Sequence, residues 1–399
     1  MATEAPPPAQ PASPGVGRVQ LKDCIEELLK FTLTSSVNGE LDLGLSKDYC
    51  SQLLQQDDSS TPFPSFTDTL TGVPSYPLYK HLAATLYQSI SSGTLFRISD
   101  KLESINEDNS YNLKEEEWTK LIMEEGSQLQ SILATVDFEL HVQEPFFSQL
   151  KDGQKTVEGR CAIGNYNRIV PGAFILFNKS LLLQVQDVHR YVSFREMLEA
   201  ESLQRVLPGV KTIEEGVQVY RNFYSEEKES SNGVIAICVT KPTSQLYNCM
   251  TTIILGLSCG GIQRMLNMVH TVGTNLEKLP PPASTLISSF LTLHNPHVKG
   301  SKLTGGARAL AKHVNRSSDK YWGNFWGSDS NKNRLAFNTI SHLVARSCWL
   351  NMHTVPPHGV VFEIRVAEGF GARWSEDGHQ FIGFLEPYMM DGHSKRWKH

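Results

Sequence analysis

The stretch Phe146-Phe147-Ser148-Gln149-Leu150-Lys151-Asp152-Gly153-Gln154-Lys155-Thr156-Val157-Glu158-Gly159-Arg160 changes character in its middle. Phe146, Phe147 and Leu150 have helical spacing, and Asp152-Gly153 is a turn signal. Beyond the turn, polar Thr156, Glu158 and Arg160 alternate with Val157 and Gly159. The stretch reads as a short helix, a tight turn and a strand with three polar groups on one face. A lysine, a glutamate and an arginine beside a turn suit an anionic or polar planar ligand. The same pattern suits a solvated edge strand, and the local residues leave both readings open.

The flanking residues supply a context. Upstream, Val136-Asp137-Phe138-Glu139-Leu140-His141-Val142 alternates apolar with polar, as a half-buried strand does. Downstream come a polar loop at Gly164–Arg168, a turn at Pro171-Gly172 and a buried strand over Ala173–Phe177. A further strand region covers Leu181–Tyr191. Ser193 caps a helix carrying Phe194, Met197, Leu198 and Leu203. A second helix near Thr212–Tyr224 has Ile213, Val217, Tyr220 and Phe223 on one face, and Val234–Val239 closes the set as a buried strand. Five or more short strands with two helices predict a small closed or nearly closed barrel over residues 136–240.

The rest of the chain divides around this unit. Residues 1–17 are Pro/Ala-rich and are expected to be disordered. Residues 18–135 read as an α-helical N-terminal domain. Leu21, Cys24, Ile25, Leu28, Leu29 and Leu33 form one apolar stripe, and further helices are expected after Ser46, over 76–91 and over 112–134. No catalytic constellation occurs there, which suits a scaffold or a protein-partner module. Residues 241–300 form an apolar helical connector, interrupted by Ser258-Cys259-Gly260-Gly261 and Gln263-Arg264, so no membrane span is expected. Residues 301–399 read as a basic, His/Trp-rich α+β region. Gly305-Gly306 opens a helix whose backbone N–H groups suit a phosphate, or is simply a turn. Arg316 and its basic neighbours interleave with Tyr321, Trp322, Phe325 and Trp326, which suits stacking on single-stranded nucleic acid or, equally, core packing. A helix is expected to run through Trp349, with strands over Val360–Val366 and Phe381–Pro387. The tail Asp391–His399 is expected to dock near Arg373 and Glu386.

Composition sets bounds on function. The chain has 399 residues, 40% hydrophobic and 20% charged, enough for two or three globular domains. The start lacks a secretory pattern, which suggests a cytoplasmic or nuclear protein. Seven cysteines without CxxC or zinc-type spacing predict reduced, buried thiols, and no metal or cofactor is expected. Residues 1–135 hold 9 Lys/Arg against 19 Asp/Glu, whereas residues 294–399 hold 14 against 8 and nine of the thirteen histidines. Anion binding is therefore expected toward the C-terminus. A sequence pI near 6.2 argues against a whole-surface nucleic-acid binder.

Residues 136–240 resemble the ASCH domain, named for activating signal cointegrator-1 homology, whose members look like PUA-type β-barrels. The likeness rests on the opening strand Val136–Val142, the x-G-x-K-T-x-E-x-R signature as Gly153–Arg160, the Pro171–Phe177 strand, and the two helices before the last strand. Ala173 departs from the family's aspartate after the turn glycine. Plant proteins that join an ASCH domain to a C-terminal region have a similar layout. The resemblance implies an α+β chain in which a PUA-like barrel is flanked by the N-terminal helices and the C-terminal region. It also implies binding of RNA or a modified nucleoside, in transcription coactivation or RNA processing, with Lys155, Thr156, Glu158, Arg160, Tyr166 and Arg168 in the cleft. Arg316, Arg373 and Trp374 are the C-terminal candidates. One branch resembles amidohydrolases of acetylated cytidine and others resemble ribonucleases, which would make Lys155 and Glu158 catalytic. Glu158 falls where the amidohydrolase branch has a threonine, and Glu199 and Glu201 are the nearest residues to its distant glutamate.

Overall fold

The structure, a computed structural model, describes residues 15–16, 19–57, 71–96, 110–300, 302–314 and 320–387. Arg316, the tail Asp391–His399 and most of the Pro/Ala-rich start lie outside them. The chain divides into two compact units, residues 1–31 with 125–250, and residues 32–124 with 251–399.

The first unit is built on six strands: β1 (Gly15–Val16), β2 (Phe138–Leu140), β3 (Val157–Cys161), β4 (Phe174–Phe177), β5 (Leu181–Tyr191) and β6 (Val234–Thr240). They pair in the order β1-β2-β4-β5-β6-β3. β2 runs parallel to β4, and the other neighbours are antiparallel. The sheet curls into a half-barrel, in line with the expected barrel, and among the described residues its end strands β1 and β3 do not pair.

β6 explains why the sheet holds. Its residues Ile235, Ile237 and Val239 enter one apolar cluster with Phe138, Leu140, Ile175, Phe177 and Leu183. Val234, Ala236 and Cys238 enter a second cluster with Phe194, Met197, Leu198, Leu207 and Tyr220. A strand buried on both faces needs no polar alternation, so this segment reads as an unbroken apolar run. β2 is shorter than the alternation of Val136–Val142 predicts. Its flanks are held by side chains instead: Phe174 N donates to Asp137 Oδ2 at 2.8 Å, and the Asn178 amide bonds both N and O of Val142 at 2.8 Å.

Helices Phe194–Glu201, Ile213–Arg221 and Glu226–Asn232 begin at Ser193, Thr212 and Ser225, whose hydroxyls accept from the N–H groups of Glu196, Glu215 and Lys228. The third of these, EEKESSN, carries no apolar stripe and gives no periodic signal. It is fixed through buried Glu229, which accepts from Phe194 N at 2.6 Å and pairs with Arg221.

In the second unit, helices Lys47–Leu54 and Leu78–Ser92 belong to the N-terminal portion. The C-terminal portion forms an antiparallel sheet of β7 (Trp349–Val355), β8 (Gly359–Arg365), β9 (Gly371–Ser375) and β10 (Phe381–Leu385), in the order β10-β9-β8-β7. Helices Ala283–Leu291, Gly305–Val314 and Asp329–Arg346 pack on it. Trp349 starts β7 rather than ending the preceding helix, which stops at Arg346. Among the described residues, no helix is long and apolar enough to cross a membrane.

Gly159 in β3 is required by packing. A Cβ there would overlap the Tyr220 hydroxyl and lie 2.6 Å from Met197 Cε. Gly159→Ala is expected to destabilise the protein by about 1–3 kcal/mol, as overpacked cores do, and urea unfolding measures it.

Candidate nucleic-acid site

The opening stretch forms helix Phe146–Lys151, a turn in which Gly153 takes φ +73°, and then β3. In β3, Glu158 lies opposite Ile237 and Arg160 opposite Ile235 on β6. The two polar side chains therefore share the face that holds the first apolar cluster. Glu158 is buried there with Lys155, at 6% and 2% exposure, and Arg160 is partly buried beside them.

A buried charge needs partners, and each of these has them. The three N–H donors of Lys155 match three acceptors: Val157 O at 2.8 Å, Val206 O, and Glu158 Oε2 at 3.1 Å. Arg160 Nε lies 2.8 Å from Glu158 Oε1 without hydrogen-bond alignment, and Nη2 donates to His141 O at 2.9 Å. Its guanidinium stands 5.9 Å from the Tyr166 ring centroid. Burial pushes the Lys155 ammonium below its ordinary pKa against the pull of Glu158. Burial alone would raise Glu158, but the Lys155 and Arg160 charges outweigh it and hold the carboxyl below its usual range. Glu158 is thus an ionised acceptor and a weak base.

This triad borders a cavity of about 320 Å³. Its wall includes His141, Phe146, Leu207, Tyr220, Phe223 and Tyr224. Phe223 is 48% exposed. Sequence reasoning had named Lys155, Glu158 and Arg160 but not the aromatic wall. Its signal was the i, i+3, i+4 spacing of Tyr220, Phe223 and Tyr224 at the end of one helix.

The other candidates lie elsewhere. Thr156 Oγ1 accepts from Arg205 Nε at 3.2 Å. Tyr166 is buried beneath Arg160, and Arg168 is exposed on the turn Gly164–Arg168. Glu201 pairs with His189, Tyr191 and Arg205, whereas Glu199 pairs with Arg195. Arg373 and Trp374 belong to the second unit. Trp374 is fully buried and its Nε1 donates to Leu286 O at 3.0 Å, so its ring offers no face to a ligand.

Arg373 belongs to a second polar assembly that the sequence did not announce. Glu363 on β8 lies opposite Asn351 on β7 and Arg373 on β9. Arg373 donates to Glu363 Oε2 through Nε and Nη2 at 2.9 and 2.6 Å, and Arg365 Nε donates to Oε1 at 2.7 Å. His353 Nε2 lies 3.1 Å from Oε2. Burial alone would raise the Glu363 carboxyl, but the His353 bond and the Arg365 and Arg373 charges bring it down to about 2 from an ordinary 4.5. A folded-state pKa below the unfolded one adds stability above the unfolded value, and this is lost as pH falls through the folded value. The shift corresponds to about 3 kcal/mol. Urea midpoints followed down from pH 5 are expected to fall less steeply for Glu363→Gln than for the wild type.

Residues 140–243 match the family model for the ASCH domain, and residues 294–386 match that for the CdiA C-terminal tRNase toxin domain. No curated protein matches the chain. A crystal structure of the hypothetical protein PH0355 is 45% identical over 26% of this chain and 97% of its own, with a TM-score of 0.26. A solution NMR structure of protein PF0455 from Pyrococcus furiosus is 47% identical over 27% of this chain and 97% of its own, with a TM-score of 0.25. Through residues 140–243, the chain belongs to the ASCH-domain family.

Proposed function

We propose that the protein binds RNA and that the cavity beside β3 receives a single unpaired nucleotide. The carrying observation is the meeting of Glu158 and Arg160 with an aromatic wall in a cavity of about 320 Å³. That volume is at the lower end of small-ligand pockets, roughly 300–1,000 Å³, which suits one base and excludes a duplex. Bases taken from single strands are recognised by stacking and by hydrogen bonds to their edges. Phe223, half exposed at the cavity, supplies a stacking face. Glu158 accepts from a base N–H, and Arg160 donates to a base carbonyl. Lys155 has spent its donors on Val157, Val206 and Glu158, so its part is to position Glu158. The weak basicity of Glu158 favours binding over hydrolysis at this cavity.

Phe223→Ala is expected to weaken binding of a short single-stranded RNA by about 1–3 kcal/mol in fluorescence anisotropy, as loss of one stacked base does. The affinity is expected to fall only shallowly with salt, at a slope of about −0.7 for each phosphate neutralised. Equal affinity in the wild type, Phe223→Ala and Glu158→Gln would refute the reading.

The match of residues 294–386 to a tRNase domain favours a second reading, RNA processing by cleavage in that region. Glu363, fixed by two arginines, orients the His353 imidazole through Nε2 and leaves Nδ1 to move a proton, while Arg373 supplies positive charge for a phosphate. Purified protein is expected to cleave tRNA, and His353→Ala to slow cleavage by about 10²–10⁴-fold. Intact tRNA after incubation with the wild-type protein would exclude it.

A further inference from the structure

A separate cluster lies on the half-barrel between β5, β6 and the end of helix Phe194–Glu201. A register shift between Val185 and Asp187 sets Asp187 opposite Cys238 and His189 opposite Ala236. Asp187, His189 and Cys238 therefore share one face of the sheet. Glu201, the last residue of its helix, reaches the same point and is 5% exposed. Ser202 follows with φ +72°, ending the helix there.

We infer that His189, Glu201 and Cys238 form a binding site for one divalent transition-metal ion, with zinc as the natural occupant. Their ligand atoms all lie within 4.8 Å of one another. The set offers one nitrogen, one oxygen and one sulfur, a combination that suits zinc or cobalt and not magnesium or calcium, which take oxygen alone.

The imidazole carries the argument. His189 Nε2 lies 3.0 Å from Asp187 Oδ2, while Nδ1 faces Glu201 Oε1. A proton on Nε2 satisfies Asp187 and leaves the Nδ1 lone pair aimed at a carboxylate oxygen. A metal ion bound to Nδ1 and to Glu201 can take the place of a proton between them. A carboxylate on the outer nitrogen of a ligating histidine is the usual outer support of a metal site, and Asp187 stands in that position. Tyr191 Oη donates to Glu201 Oε1 at 2.8 Å and steadies the second ligand.

Cys238 Sγ lies 3.8 Å from Glu201 Oε2. Binding replaces the thiol proton and the Nδ1 proton with metal bonds and releases both protons to solvent. Arg205, 3.6 Å from Glu201 Oε2, is half exposed, so its side chain is free to be displaced toward solvent. His189 is 43% exposed, which leaves a fourth position open to water.

Cobalt titration of the full-length protein tests this. One equivalent of Co²⁺ is expected to bind with a thiolate charge-transfer band, and Zn²⁺ to displace it. Cys238→Ser removes the band, and Asp187→Asn, at an exposed position, weakens binding by about 10–100-fold. His189→Ala abolishes stoichiometric binding. No stoichiometric binding by the wild type overturns the proposal in favour of a protonated histidine held between two carboxylates. Binding that is unchanged in Cys238→Ser and His189→Ala overturns it in favour of other ligands on the chain.

Discussion

A carboxylate held between two cations at the edge of a curled sheet organises the ASCH portion. Glu158 alone would be costly to bury, as would Lys155 or Arg160. Together they tie three backbone segments: Lys155 reaches Val157 O on its own stretch and Val206 O, Arg160 reaches His141 O, and Glu158 links the two cations. Removing one member strands the charge of another, a loss of about 3–5 kcal/mol in comparable buried pairs. The cavity floor is thereby preorganised before any ligand arrives, which lowers the ordering cost of binding.

Much of this was legible in the sequence. The helix, turn and strand of residues 146–160 follow from spacing and Asp152-Gly153, and the serine caps at 46 and 193 follow from residue type. What escaped was set by pairing between distant residues. Nothing local says that Glu363 faces Arg373 and lies within reach of His353, because strand register is fixed by tertiary packing. Trp374, named as a ligand candidate, is core because it alternates with Arg373 on a strand whose other face meets helices. Helix Glu226–Asn232 was invisible because a salt link to Arg221 on the preceding helix and a cap, rather than an apolar stripe, hold it. The half-barrel accords with the closed or nearly closed barrel expected, although strand count alone does not say whether the two end strands meet.

In the readings proposed above, the two regions ask different things of RNA. The ASCH portion is close to neutral, with its recognition groups buried, so any affinity arises from shape and base edges. Residues 294–386 lie in the basic part of the chain, where phosphate attraction is expected to contribute. In those readings, a chain that joins both separates what it recognises from where it acts, and selectivity is open to change by mutation independently of the C-terminal region.

The central strand β6 carries a hazard along with its stabilising role. Val234-Ile235-Ala236-Ile237-Cys238-Val239 is uncharged, rich in β-formers and lacks proline. In a nascent or unfolded chain, such a run is a template for aggregation with its own copies. The charged helix Glu226–Asn232 precedes it and Lys241-Pro242 follows it, placing gatekeepers on both sides. The unforeseen polar helix therefore has a second use: its charges guard the strand until β3 and β5 cover it.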